Sequence, residues 1–330
     1  MIFHPPACPH TDCPSRTRSR FDYCRSGAFE RRCDGRRVQR FVCRVCRRGF
    51  SEQTFRVDYR LKRPELLERF FFDRVSKVTH RQSARIQGCS RSTEERHFRR
   101  LGGHCAAFHE HRLRSIAGLG RAGSIFVLDE LETYEDHRTQ KPVTVPVLIE
   151  RASGFVLDAK AGALAPRRRR RVQGDPAHDR APPRRSESQR LVRAMFERLR
   201  ELVPRDSTLQ VRTDKKSSYA RILRELFGAR CLHRRTPARR RRDVRNPLWP
   251  INHTFARLRD SVSRLVRETW AAAKKRQWLE AHLAIWVCYR NYVRGRTNRD
   301  PHVTPAMVLH VQDEPSSVPD LLAWRSLRSV

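Results

Sequence analysis

The stretch SIFVLDELETYED, residues 124–136, decides how the rest of the chain reads. Ile125, Phe126, Val127 and Leu128 form a short apolar run of the kind a buried strand carries. The run lands on Asp129, with Glu130 and Glu132 behind it, in a chain with 35 acidic residues against 71 basic ones. A second apolar strand, TLQVRTD, ends the same way on Asp214. Strand-end loops are where sites are built, and two aspartates meeting there repel each other unless a cation sits between them. Mg2+ (or Mn2+), an oxygen-seeking ion content with few protein ligands, suits such a pair. Two such ions can clamp the attacking and leaving oxygens of a phosphodiester. Taken singly, each aspartate reads equally as a turn or cap, and TDKKSSY alone would be an Asx turn opening a helix.

Outward from these strands, PVTVPVLIE (142–150) and GFVLDAKAG (154–162) read as two more, joined by the turn ASG. An Arg- and Pro-rich loop spans 166–185 and has no periodicity. A helix follows over 186–203, capped by Ser186 or Ser188. Then come the strand to Asp214, the helix SSYARILRELF stopped by Gly228, and a last strand CLHRRT. A long helix over 252–272 and another over 275–293 complete the pattern. In the tail, TPAMVL and LLAWRSL are the anchors. Strands alternating with helices in this order predict a mixed α/β layer fold.

The formal charge of +36 repels itself unless a polyanion is near, which points to nucleic acid. No apolar run approaches the roughly 20 residues that span a bilayer, so no membrane is expected. With no secretory signal evident, a cytoplasmic location is the expectation.

Six of the ten cysteines precede residue 47. The pairs Cys8-x4-Cys13 and Cys43-x2-Cys46 supply the four thiolates that structural zinc requires, with Phe41 and Phe50 to cover the site. Cys24, Cys33 and His10 are alternative ligands. Residues 64–103 predict three helices. Thr79 with Gln82 and Ser92 with Glu95 read as capping boxes, Gly88 as the turn, and Gly102–Gly103 as the end of the last helix. This is a helix-turn-helix pattern with 92–101 in the recognition position, directing Arg91, Arg96, Arg99 and Arg100 at DNA.

The segments LDELETYEDHR, VRTDKKSSYARIL and INHTFARLRDSVSRLVRET resemble those of bacterial insertion-sequence transposases of the DDE type, those with an N-terminal zinc ribbon and helix-turn-helix. The likeness runs from CPHTDCPS to the final helices. It implies a zinc ribbon over 1–60, a helix-turn-helix domain over 61–115, a ribonuclease H-like catalytic core over 116–295, and a tail over 296–330. It also implies Mg-dependent cleavage of double-stranded DNA at element ends, followed by strand transfer. Asp129 takes the first acid position and Asp214 the second. The third, a glutamate in the family, is absent near NHT, where Asn252 and His253 stand instead. Asp260, eight residues on, is the favoured substitute, ahead of His253 and Asn252, with Glu268 further along the same face. Lys215 and Lys216 either steady phosphates or are solvated helix-start residues. A homodimer is expected, because two ends must be joined. The alternatives are a non-catalytic DNA binder descended from a degenerate transposase, or an RNA-binding or resolvase-type nuclease.

Overall fold

The computed structural model describes residues 3–116, 124–136, 138, 140–166, 184–266 and 271–326. Most of the basic loop expected over 166–185, and Glu268, lie outside the described residues.

Three antiparallel strands, β1 (Tyr23–Glu30), β2 (Arg37–Cys43) and β3 (Gly49–Ser51), form the N-terminal sheet. Its core is aromatic. Phe41 stacks on Phe50 at 5.5 Å, and Phe3, Phe21, Tyr23 and Phe55 pack around them. The helices α1 (Leu66–Val75), α2 (His80–Ile86) and α3 (Arg91–Arg114) follow. Thr79 and Gln82 form the expected capping box at α2, and Gly88 turns the chain with φ +56°. The cap of α3 is Ser90, not Ser92: the Ser90 hydroxyl accepts the Thr93 N–H at 3.2 Å.

α3 also does not stop at Gly102–Gly103. Its apolar face continues through Leu101, Cys105 and Phe108, all buried, and this burial carries the helix 24 residues to Arg114. Gly102 serves packing instead. A Cβ there would lie 2.5 Å from the Ala281 Cβ, so the missing side chain lets α3 press against α7 (Arg276–Cys288).

The central sheet contains β4 (Ile125–Tyr134), β5 (Pro142–Glu150), β6 (Val156–Ala159), β7 (Gly162–Ala163), β8 (Leu209–Asp214) and β9 (Cys231–Thr236). The strand order is β6-β5-β4-β8-β9, with β7 paired to β5. β4–β5 and β5–β6 are antiparallel, whereas β4–β8 and β8–β9 are parallel. A meander whose first strand then pairs in parallel with a later strand, itself paired in parallel with the next, is the ribonuclease H-like arrangement. Every residue of β5 is buried, because helices cover both faces.

On one face, Phe126, Leu128 and Val211 pack with α4 (Ser188–Leu202) and α5 (Ser217–Phe227). On the other, Val127, Leu131 and Val147 pack with α6 (Trp249–Ser261) and α7. The N-cap of α4 is Glu187, without a side-chain cap bond, where Ser186 or Ser188 was expected. α6 ends at Ser261 rather than running to 272. Val262 turns extended so that it and Leu265 enter the core, and the freed Ser261 carbonyl accepts Lys77 N–H at 2.8 Å. In the tail, α8 (Pro305–Val308) and α9 (Val318–Ala323) bury Ala306, Leu321 and Leu322, as anchors should.

Candidate functional site

Parallel pairing sets Val127 opposite Arg212, and two residues further along that register bring Asp129 and Asp214 level on adjacent strands. Strand alternation turns Asp129 to the face of Val127 and Leu131, toward α6. The Glu130 N–H donates to Asp129 Oδ1 at 2.8 Å, and the Lys216 N–H donates to Asp214 Oδ1 at 2.9 Å. The latter is the Asx turn that the sequence also allowed. Among the described residues neither carboxylate has an ion-pair partner. Burial, with the Asp214 charge as a further cause, pushes the Asp129 carboxyl up to about 6, despite the Glu130 N–H and Arg242 pulling the other way. β4 does not end on Asp129 as the apolar run suggested: it continues in register with β5 to Tyr134, and Asp129 lies mid-strand just beyond its pairing with β8.

A cleft of about 470 Å3 opens beside Asp129, lined among others by Glu132, Arg242, Asn252, His253 and Arg259. The Asn252 edge of α6 thus shares the cleft with Asp129. His253 stacks on Trp249 with rings 6° from parallel, and burial holds its imidazole below the usual range. Asp260 lies on the same helix but does not line the cleft. Among the described residues, the four N-terminal cysteines alone form a group of three or more His, Cys, Asp or Glu whose ligand atoms converge within 4.8 Å. Among the described residues no third acid converges with Asp129 and Asp214 to within 4.8 Å, although Glu132 lines the cleft.

Glu130 was not singled out from sequence as a structural hub. Period-2 alternation turns it to the opposite face from Asp129, where a dense network receives it. It accepts from Lys216 Nζ at 2.6 Å, Thr144 Oγ1 at 2.6 Å, Ser188 Oγ at 2.9 Å and the Tyr219 hydroxyl. Burial pushes its carboxyl up, but the bonds from Lys216, Thr144 and Tyr219 outweigh this and hold it below the usual carboxylate range. Lys216 is exposed yet engaged, its ammonium tying the start of α5 to the middle of β4 through Glu130.

At the other end of the chain, Cys8, Cys13, Cys43 and Cys46 come together as expected. Tetrahedral zinc at a Zn–S distance of about 2.3 Å needs sulfurs about 3.8 Å apart. The Cys8–Cys46 and Cys13–Cys43 Sγ separations are 3.7 and 3.8 Å. Four thiols with this spacing, three buried and Cys46 half-buried against Phe41, Phe50 and Phe55, make a set that fits zinc. Cys24 and Cys33 stand outside it: Cys24 takes a bond from Arg44 and Cys33 is exposed. His10 is not in the group.

The helix-turn-helix arginines divide. Arg91 and Arg96 are both exposed, and Arg91 pairs with Glu95 one turn on. Arg99 lies over the Trp278 ring of α7 at 4.8 Å. Arg100 does not point outward. Its guanidinium donates to the carbonyls of Val57 and Tyr59, because the segment leaving the zinc sheet needs those acceptors filled.

No family model matches the chain, and no curated protein does either. Among solved structures, the chain is similar to the crystal structure of the catalytic domain of Mos1 mariner transposase. The match has 18% identity and a TM-score of 0.28, covering 59% of this chain and 92% of that one. At that score it carries no weight here, and the fold rests on the strand order above.

Proposed function

We propose that the chain is a DDE-type transposase, binding the terminal repeats of an insertion sequence and carrying out strand cleavage and transfer. One observation carries the reading: Asp129, midway along β4, and Asp214, at the end of β8, come level on adjacent strands without an ion-pair partner among the described residues, in a chain of +36. The donor set fits Mg2+ or Mn2+, since Asp129 and Asp214 offer hard oxygens and their mutual repulsion is what a cation relieves. Asn252, through its carbonyl oxygen, is a better third donor for so hard an ion than His253, and it shares the cleft that Asp260 does not line. When bound, the ion supplies charge stabilisation at the phosphoryl oxygens.

The chain's own residues do the rest. Glu130, clamped by Lys216 and Tyr219, fixes the middle of β4 against α5 and so sets Asp129 beside Asp214. Arg242 and Arg259 line the cleft with positive charge for a DNA backbone. The four-cysteine group, holding zinc, and α2–α3 form the DNA-recognising front end, with Arg91 and Arg96 toward phosphate. Two copies acting on two ends, in the nucleoid of a prokaryotic cell, complete the reading.

The missing third carboxylate favours one rival, a non-catalytic DNA binder. Labelled duplex carrying the repeats that flank the coding frame separates the two. The enzyme nicks it in Mg2+ and not in EDTA, and Asp129→Ala or Asp214→Ala abolishes nicking while DNA retention persists. Nicking that survives either change defeats the assignment.

A further inference from the structure

A second cavity, of about 600 Å3, lies where α2 and α3 meet the end of α6 and the start of α7. Among the described residues its walls include Arg81, Arg91, Arg99, Arg264 and Lys274, against one carboxylate, Glu95, which already pairs with Arg91. Its flat surface is aromatic. Arg99 stacks over Trp278 at 4.8 Å and Arg264 over the buried Phe98 at 5.6 Å.

Behind the wall the charges do not balance. Arg264 donates to His80 Nε2, and His80 Nδ1–H donates to Glu94, a tautomer assigned from its partners. Glu94 also faces Arg74 at 3.5 Å, and both are wholly buried. Two guanidinium groups thus share one carboxylate. Arg264 Nε and Arg74 Nε are buried without a hydrogen-bond partner. Burial, then the Arg74 charge, draws the Arg264 guanidinium down to about 10, the state of a cation short of a counter-ion.

A bare inorganic anion would leave the Arg99–Trp278 stack unused, and an apolar ligand would leave the arginines without a counter-ion. We propose that this cavity binds a nucleotide unit, its phosphate among Arg81 and Arg264 and its base on the Arg99 guanidinium that lies over Trp278. Base stacking on aromatic or guanidinium planes and phosphate capture by arginine are complementary demands of one ligand class. The site lies outside the Asp129 cleft and does not depend on its chemistry.

Equilibrium dialysis of the full chain at physiological salt tests this, with thymidine 5′-monophosphate, thymidine and inorganic phosphate as probes. The monophosphate is expected to bind more tightly than either fragment. Trp278→Leu and Arg99→Gln should each weaken it about tenfold, the scale of one lost stacking contact. Arg205→Gln, an exposed arginine elsewhere, should leave it unchanged. Melting curves followed by circular dichroism establish that the variants fold. Equal retention of phosphate and nucleotide, or equal losses in Arg205→Gln and Arg99→Gln, would mean diffuse charge and overturn the site. Competition by oligothymidylate assigns the source: displacement at lower nucleotide concentration than the monomer requires identifies a strand, and parity identifies a free nucleotide. Asp129→Asn should bind the monophosphate as wild type does, so loss of this site and loss of the catalytic reading are told apart.

Discussion

Replacing Asp129 with Asn should stabilise the protein at neutral pH. Asn keeps the acceptor for the Glu130 N–H, held at 2.8 Å, and removes only the charge. The Asp129 carboxyl is raised from 3.8 to about 6 in the fold, and each pKa unit is worth about 1.4 kcal/mol, so ionised Asp129 costs about 3 kcal/mol. A carboxyl with a raised folded pKa burdens the fold wherever it is ionised. The cost is full above about pH 6, shrinks as pH falls, and is gone below about pH 4, where both folded and unfolded chains are protonated. Urea denaturation of wild type and Asp129→Asn at pH 8 and pH 4 reads this out. The variant should be the more stable by up to about 3 kcal/mol at pH 8 and equal at pH 4. Mg2+ should narrow the gap by stabilising wild type alone. A variant that is equally stable at pH 8, or less so, or a gap independent of pH, would refute the picture of a buried, uncompensated acid.

Further outcomes follow from other parts of the fold. Purified protein should carry one zinc per chain by atomic absorption. Cys43→Ser should lose it and unfold the first three strands, while Cys24→Ser and Cys33→Ser keep it. Gly102→Ala should destabilise by about 1–3 kcal/mol, because the new methyl meets Ala281, whereas Gly103→Ala, with open space around it, should be neutral or better by thermal melting. Lys216→Met should cost about 1–3 kcal/mol by leaving buried Glu130 without its charged partner, and should slow nicking through misplacement of Asp129.

The strands were legible because their signals are local. The run before Asp129, the largely apolar β5 and the strand to Asp214 each carry their own pattern, and Thr79 with Gln82 carries its own cap. What sequence misplaced was settled by distant partners. Gly102–Gly103 looks like a helix end until Ala281 is seen against it. α6 looks continuous past Ser261 until the core takes Val262 and Leu265. Arg100 looks solvent-facing until the Val57 and Tyr59 carbonyls need a donor. Glu130 was visible as one of three acids, but its network comes from α4, α5 and β5, which no local window contains. The choice between Asp260 and Asn252 likewise depended on how α6 crosses the sheet, which helical spacing alone does not fix.

The central claim is that Asp129 and Asp214 jointly hold one divalent ion. Titration of the full chain with Mn2+, followed by electron paramagnetic resonance, tests it most directly. A bound-Mn2+ signal in wild type that disappears in both Asp129→Asn and Asp214→Asn is the outcome predicted here. Undiminished Mn2+ binding in either variant would contradict it.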